Sequence, residues 1–220
     1  KTHIGLKELP YLGFNVGRHG TSPLASKTQA IFDLAVADMW GNPAAAGRYS
    51  GMLGFYGRFI PDLQHLLAPF SELKAKSAPV EHILGKKGKG AVPPSLRFLT
   101  SFASTRAALA NVTALARPDF AKPFYVHIDA ATSCGIGGAL MQLEDPDDED
   151  SLYPIAFWSR RLQDEERGYD VREQECLGLD QTLKKWRHYL LGAKVHLLTD
   201  HASLTWLMTT AHPDGSRVAG

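Results

Sequence analysis

The chain has 220 residues, 44% of them hydrophobic and 21% charged. This composition is typical of a globular protein of one or two domains and excludes a largely disordered chain. No apolar run approaches the roughly 18 residues of a membrane-spanning helix, and the first residues lack the apolar core of a secretory signal. The two cysteines, Cys134 and Cys176, lie outside any CxxC motif, so we expect free thiols in a reducing compartment. Because the chain has no initiator Met and stops just after a helix signal, we expect a piece of a longer polypeptide.

The net charge of +1 conceals an uneven distribution along the chain. Residues 1–116 carry a net charge of +7, and residues 117–220 carry −6. A basic part beside an acidic part suits a protein that contacts phosphate backbones with one part and holds cations with the other. Ordinary surface charge explains the same numbers, so the charge distribution alone leaves both interpretations open.

Helices dominate the predicted structure of the first half. Residues 9–16 predict a short strand that ends in a turn. Ser26 is placed to cap one helix and Asn42-Pro43 to open another, whereas Pro61 ends this second helix. The predicted helices cover about 27–38, 43–59, 62–76 and 96–110.

The second half changes to strands and helices in mixed order. The acidic run 144–150 indicates an exposed hairpin tip. The order strand–strand–strand–helix–strand–helix is typical of a mixed α/β fold. The predicted strands cover 124–129, 135–142, 153–158 and 195–200, and the predicted helices cover about 169–190 and 202–208.

Three carboxylates occupy positions that suit a metal-dependent nuclease. Asp129 and Asp200 each close a strand-like run, and Glu175 lies in the long helix pattern. Strand ends and a facing helix can bring these side chains together, and neighbouring carboxylates repel one another unless cations lie between them. Mg²⁺ is the expected cation because it prefers oxygen ligands. Taken singly, each residue also fits a helix cap, a turn residue or a solvated helix position.

Several runs of residues resemble one known family in their order along the chain. The run LGFYGRFIPDLQHLLAPFSELKAK resembles the thumb of the reverse transcriptase of gypsy-type LTR retrotransposons. YLGFNVGRHG resembles the strand pair at the end of the polymerase palm. TALARPDFAKPFYVHIDAATSCGIGGALMQ resembles the connector and first hairpin of the RNase H domain that follows. YPIAFWSRRL, YDVREQECLGLDQTLKKWRHYLLG and VHLLTDHASLTWL resemble its later segments.

The resemblance implies an α/β fold in which a small helical thumb-like domain precedes a truncated RNase H-like mixed sheet with flanking helices. Residues 1–22 would end the polymerase palm with primer-grip-like strands. Residues 23–112 would form the helical thumb and connection. Within them, residues 77–94 form a basic insertion that is either solvated or in contact with nucleic acid. Residues 113–220 would form the RNase H-like domain, incomplete at its C-terminal end.

The activity that the resemblance implies is cleavage of the RNA strand of RNA–DNA hybrids, by an endonuclease within an RNA-directed DNA polymerase polyprotein. Its cofactor would be two Mg²⁺ ions, with Mn²⁺ as an alternative. The expected partners are the RNA–DNA hybrid and the rest of the polyprotein, namely the polymerase palm and fingers and the integrase. No membrane is expected, and the expected location is a cytoplasmic particle or the nucleus.

Carried over residue by residue, the family's catalytic and metal-binding carboxylates fall on Asp129, Glu175 and Asp200. Glu173 lies two residues from Glu175, and a shift of two residues turns a helix by about 200°, so both cannot face one site. We favour Glu175, because Leu179 continues its face of the helix.

Two groups of residues are candidates for contact with nucleic acid. The turn that contains Thr132, Ser133 and Gly135 offers hydroxyl and backbone groups to an RNA strand, although a hairpin without a ligand also explains it. The second group, at the end of the long helix, either meets phosphates or complements the helix dipole. It consists of Lys184, Lys185 and Arg187.

The chain departs from the family pattern in one respect. Family sites add a fourth acidic residue from a later helix, and Asp214, the only acidic residue after Asp200, comes too soon to supply it. We therefore expect weak cleavage from this chain. Two function classes remain open: the endonuclease segment, and a noncatalytic retrotransposon-derived module that binds nucleic acid or protein.

Overall fold

The structure is a computed structural model that describes residues 6–40, 42–74, 94–112, 114–131 and 135–199, with the backbone alone of Lys74 and of 129–131. A small sheet and a group of helices precede a four-stranded mixed sheet with helices packed on it. The predicted fold class, a helical part followed by a mixed α/β part, is confirmed.

The first sheet has three antiparallel strands: β1 (Glu8–Tyr11), β2 (Phe14–Gly17) and β3 (Gly20–Pro23). The prediction of one strand over 9–16 was wrong, because Leu12 and Gly13 both have positive φ angles and reverse the chain between β1 and β2. β3 begins at Gly20. The backbone of the next residue, Thr21, pairs with Leu115 in the later connecting segment. A side chain at Gly20 would clash with the Leu115 carbonyl oxygen.

Six helices follow in the described part of the first half: α1 (Ala25–Phe32), α2 (Val36–Met39), α3 (Pro43–Phe55), α4 (Leu63–Leu66), α5 (Ala68–Lys74) and α6 (Leu96–Ala110). Asn42 caps α3 as predicted, with its side chain accepting from the Ala45 amide at 3.1 Å. The predicted helix 27–38 is divided, because Ala35 is extended and begins α2. Ser26 lies inside α1 and does not cap it, since Leu24 occupies the N-cap position.

The predicted helix 62–76 is also divided, because the chain breaks regular helix geometry at Leu67 before α5 begins. A 3₁₀ turn (Gly57–Phe59) ends the α3 segment before Pro61. Most of the predicted basic insertion 77–94 lies outside the described residues.

One apolar core unites these helices with the first sheet. Tyr49 lies fully buried at its centre, against the rings of Phe70 and Phe102. Its hydroxyl shares a hydrogen bond of 2.8 Å with Thr105, so the buried polar atom is satisfied. Arg106 stabilises the edge of this core by donating to two carbonyl oxygens, that of Phe32 at the end of α1 and that of Leu34 just after it.

The second sheet has strand order β6–β5–β4–β7 and comprises β4 (Phe124–Ala131), β5 (Gly135–Leu143), β6 (Leu152–Arg161) and β7 (Val195–Leu198). β4 is antiparallel to β5 and parallel to β7. The long helix pattern forms α7 (Val171–Lys185) and the short α8 (Arg187–Leu190), which divide at Trp186. The predicted helix 202–208 lies outside the described residues.

α7 lies close against the sheet at Gly138. A Cβ atom at this position would lie 2.7 Å from the His127 carbonyl oxygen and 3.2 Å from Cγ2 of Thr182. Thr182 is fully buried, and its hydroxyl accepts a 3.2 Å hydrogen bond from the Trp158 indole. The missing side chain of Gly138 therefore lets α7 pack directly over β4 and β5.

We predict that Gly138→Ala lowers the free energy of unfolding by roughly 1 to 3 kcal/mol, because the new methyl group clashes with the His127 carbonyl oxygen of β4 and crowds Thr182 of α7. Gly51→Ala is the matched control: Gly51 lies in α3, and a Cβ there meets nothing within 4 Å. The control should raise the unfolding free energy by about 0.5 to 1 kcal/mol. Urea denaturation measures both, and equal effects of the two substitutions would contradict the packing argument.

Candidate active site at the carboxyl end of β4

The register of the second sheet aligns the carboxyl ends of β4 and β7, the two strands that precede the predicted strand-end carboxylates. On β4, Asp129 pairs with Gly137 of β5. The parallel neighbour β7 pairs its Leu198 with His127 of β4. Asp129 follows His127 by two residues, as Asp200 follows Leu198. The side chain of Asp129 and the whole of Asp200 lie outside the described part of the structure.

The direction of α7 brings its first turns to the same edge. Thr182 contacts Gly138, whereas Leu177 packs against Ile136, which is nearer the carboxyl end of β4. Glu175 precedes Leu177 by two residues, so it lies farther in the same direction. Seven residues, or two helical turns, separate Glu175 from Thr182, which puts both on the face of α7 that meets the sheet. Accordingly, Glu175 is only 7% exposed.

Glu173 has a different environment from Glu175. It is exposed, and its carboxylate accepts from the Asp170 amide at 2.9 Å. The Asp170 carboxylate in turn accepts from the Glu173 amide at 2.8 Å. This capping box begins α7 and accounts for Glu173 structurally.

A charged clamp orders the loop between β6 and α7. The Arg160 guanidinium donates to both carboxylate oxygens of Glu166, at 2.7 and 2.9 Å. Glu166 also accepts from the Gln163 amide at 2.8 Å. The hydrogen bond from Arg160 is the main reason that the pKa of the Glu166 carboxyl is lowered. Sequence reasoning did not single out this pair, because Glu166 lies between the runs of residues that resemble the family.

Of the three turn residues predicted to meet an RNA strand, Thr132 and Ser133 lie outside the described residues. Gly135 is buried at the start of β5 and pairs with Arg161 of β6. A side chain there would clash with the Arg160 carbonyl oxygen. The close approach of β6 thus explains the glycine without a ligand.

The predicted basic group lies at the opposite end of α7 from Glu175. Lys185 follows Glu175 by ten residues, which corresponds to about 15 Å along a helix. All three side chains, of Lys184, Lys185 and Arg187, are exposed. Lys184 forms an ion pair of 2.8 Å with Asp180 on the same helix. The structure therefore does not bring this group together with Glu175.

Within the described ranges, no three His, Cys, Asp or Glu side chains form a group that could hold a metal ion. Of the predicted ligands, Glu175 alone has its side chain within those ranges. The donor set itself, three carboxylates, fits Mg²⁺. In the same part of the chain, no helix is long and apolar enough to cross a membrane.

Known proteins resemble the chain over most of its length. Residues 119–219 match the family described as the RNase H-like domain found in reverse transcriptase. The Pol polyprotein of transposon gypsy from Drosophila melanogaster is 30% identical over 209 residues, covering 94% of this chain and 19% of the relative. The chain belongs to the gypsy-type retrotransposon Pol polyproteins. The Pol polyprotein of transposon 297 from the same fly is 28% identical over 207 residues, 94% of this chain and 17% of the relative.

This gypsy-type chain thus spans about a fifth of the length of the curated relatives that it matches. Solved structures support its fold at low identity. A foamy viral protease–reverse transcriptase in complex with double-stranded DNA has a TM-score of 0.65 and 16% identity, over 95% of this chain and 40% of that one. The foamy viral enzyme in complex with RNA/DNA hybrid has a TM-score of 0.64 and 16% identity, over 97% of this chain and 26% of that one.

We predict that the Arg160–Glu166 clamp stabilises the gypsy-type chain at neutral pH and is lost in acid. The pKa of Glu166 is lower in the folded than in the unfolded state, so its stabilisation is complete above the unfolded value of about 4.3. It disappears as pH falls through the lowered folded value. Glu166→Gln should cost roughly 1 to 3 kcal/mol of unfolding free energy at pH 7 and progressively less below pH of about 4.

Asp164→Asn provides the control for this measurement. Asp164 pairs with Arg167 in the same loop at 3.2 Å, but its side chain is 89% exposed. An exposed pair of this kind contributes about 1 kcal/mol at most. Urea denaturation at several pH values compares the variants, and a cost of Glu166→Gln that does not change with pH would exclude the ionic clamp.

Proposed function

We propose that this chain contributes the RNase H activity of a Pol polyprotein and hydrolyses the RNA strand of RNA–DNA hybrids in the presence of Mg²⁺. One observation supports the proposal: Glu175 is buried on the face of α7 that meets the second sheet, in the turns of the helix nearest to the carboxyl end of β4. β7 runs parallel to β4, and Asp200 follows the last residue of β7 by two positions in the sequence, so the proposal expects Asp200 near the same edge.

Asp129, Glu175 and Asp200 would hold the two metal ions, and Mn²⁺ is also compatible with carboxylate ligands. Bound at a scissile phosphate, such ions supply a hydroxide nucleophile and stabilise the leaving 3′ oxygen. The protein's own contribution is to fix the ligands before substrate binds. The capping box of α7 and the contact at Gly138 hold Glu175 in one orientation.

The hybrid would be recognised by its shape and by its 2′-hydroxyl groups, with Thr132 and Ser133 as the hydroxyl donors nearest to the proposed metal ligands in sequence. The foamy viral relative in complex with RNA/DNA hybrid supports this choice of substrate. The other partners would be the remaining parts of the polyprotein: the palm, the fingers and the integrase. The location would be a cytoplasmic particle or the nucleus.

The division of the chain into parts is also a proposal. Two separate apolar clusters, one among the helices and one between the second sheet and α7, support a boundary near residue 113. Phe14 packs against the helical cluster, which supports an association of the first sheet with the helices. The net charge of +7 on residues 1–116 favours a second candidate function, a noncatalytic module that binds nucleic acid.

We predict that Glu175→Gln lowers the rate of Mg²⁺-dependent hybrid cleavage roughly 100-fold or more, because the buried helix position loses its charged metal ligand. Asp129→Asn and Asp200→Asn should have effects of the same order. The assay follows a labelled RNA strand paired with DNA, with this chain and with a longer piece of its polyprotein that extends beyond residue 220.

Glu173→Gln is the matched control, two residues away on the same helix. Glutamine also completes a capping box, so α7 should remain capped and cleavage should stay within about twofold of the unmodified chain. Equal losses from Glu173→Gln and Glu175→Gln would contradict the assigned face of α7. If neither length of protein cleaves the hybrid while both bind it, the noncatalytic function is correct.

A further inference from the structure

A cleft lies at the junction between the helical part of the chain and the second sheet. It has a volume of about 280 Å³. The 3₁₀ turn and α4 form one wall, and β6 with the end of α7 forms the other. Arg58 and Lys185 contribute from opposite walls, with Gln64, Trp158 and Ser159 among the residues between them.

The cleft has an unbalanced positive charge. Among its lining residues, Arg58 and Lys185 carry charge and none carries a carboxylate. Both side chains are exposed, and the ion pairs recorded in the described part of the chain include neither of them. By contrast, the neighbouring Lys184 is neutralised by Asp180. The carboxylate of Asp62 lies beside the cleft, near Gly137, but does not line it. The two cations that line the opening therefore attract an anion with several charges.

The two walls are joined by direct contacts. The Gln64 amide donates to the Ser159 hydroxyl at 3.1 Å, which links α4 to β6. Beside it, Gly137 leaves room for Asp62, since a Cβ atom at Gly137 would lie 3.4 Å from the Asp62 carboxylate. Lys185 follows Thr182 by three residues and therefore lies on the side of α7 that carries the Trp158 hydrogen bond. These contacts hold together the backbone segments that carry the two cations.

The cleft lies within reach of a nucleic acid held at the candidate active site. Glu175 and Lys185 are about 15 Å apart along α7. Phosphates of one strand are spaced about 3.4 Å apart along a duplex, so roughly four nucleotides span this distance. A hybrid that reaches from the edge of the second sheet to the basic helical part therefore runs past the cleft at the junction of the two parts.

We propose that this cleft binds backbone phosphates of the hybrid, with Arg58 contributing from the helical part and Lys185 from the RNase H-like part. The guanidinium of Arg58 suits bidentate contact with phosphate oxygens, and the ammonium of Lys185 acts as a point charge. The bound strand bridges the two parts of the chain. The choice of ligand rests on the proposed function, but the binding site does not require that the chain cleaves.

The test measures binding of a short fluorescent RNA–DNA hybrid by anisotropy over a range of salt concentrations, in EDTA so that no cleavage occurs. Each phosphate contact contributes about one unit to the slope of log Kd against log salt. Arg58→Gln and Lys185→Gln should each lower the slope by about 1, and the double variant should lower it by about 2. Arg58→Lys retains the charge and should retain most of the slope.

Arg97→Gln removes one positive charge from α6, where Arg97 pairs with Glu72 at 3.0 Å, and should leave the slope unchanged. The cleft site is overturned if neither cleft variant changes the slope, or if Arg97→Gln changes it equally. Circular dichroism of each variant excludes unfolding as the cause. A failure of the proposed function would give a different result: the hybrid would not be cleaved in Mg²⁺, but the variants would still change the salt dependence of binding as expected.

Discussion

The contact between Gly138 and Thr182 is the constraint on which the second half of the chain depends. Because Gly138 has no side chain, α7 lies directly on β4 and β5, and the Trp158 indole bonds the buried Thr182 hydroxyl. This contact sets the rotation of α7. Glu175 lies two turns before Thr182 on the same face of α7. Glu173 lies on the opposite face and caps the helix. The rotation of α7 thus buries Glu175 against the second sheet and leaves Glu173 exposed.

The connection between the two parts of the chain depends on backbone groups rather than on side-chain packing alone. β3 pairs with the connector through the amide and carbonyl of Thr21 and Leu115. The buried Gln142 amide then bonds the connector, donating to the Asp119 carbonyl oxygen at 2.7 Å and accepting from its amide at 2.9 Å. These bonds satisfy the buried Gln142 side chain and the backbone of the buried Leu115. They also explain how the helical part and the mixed sheet form the two walls of a defined junction cleft.

Local signals in the sequence predicted some elements and missed others for identifiable reasons. Asn42 and Pro43 predicted the start of α3, because a cap and a proline act within a single helical turn. Ser26 failed as a cap because the chain enters α1 earlier, at Leu24. The strand predicted over 9–16 became a hairpin, since a positive φ at Leu12 is rare for a residue with a branched apolar side chain and is not expected from sequence.

By itself, the sequence predicted the fold class and the order of the strands in the second sheet with the long helix among them, because hydrophobic periodicity is a local property of the chain. Its strand-end runs supplied the three candidate carboxylates through their resemblance to a family. Only the tertiary structure decided which residues meet. It showed Glu175 buried and Glu173 capping, Gly135 explained by β6, and Lys185 at the far end of α7, facing Arg58 across a cleft. The physical reason is that helix rotation and strand register are set by contacts between residues far apart in sequence, which no local pattern records.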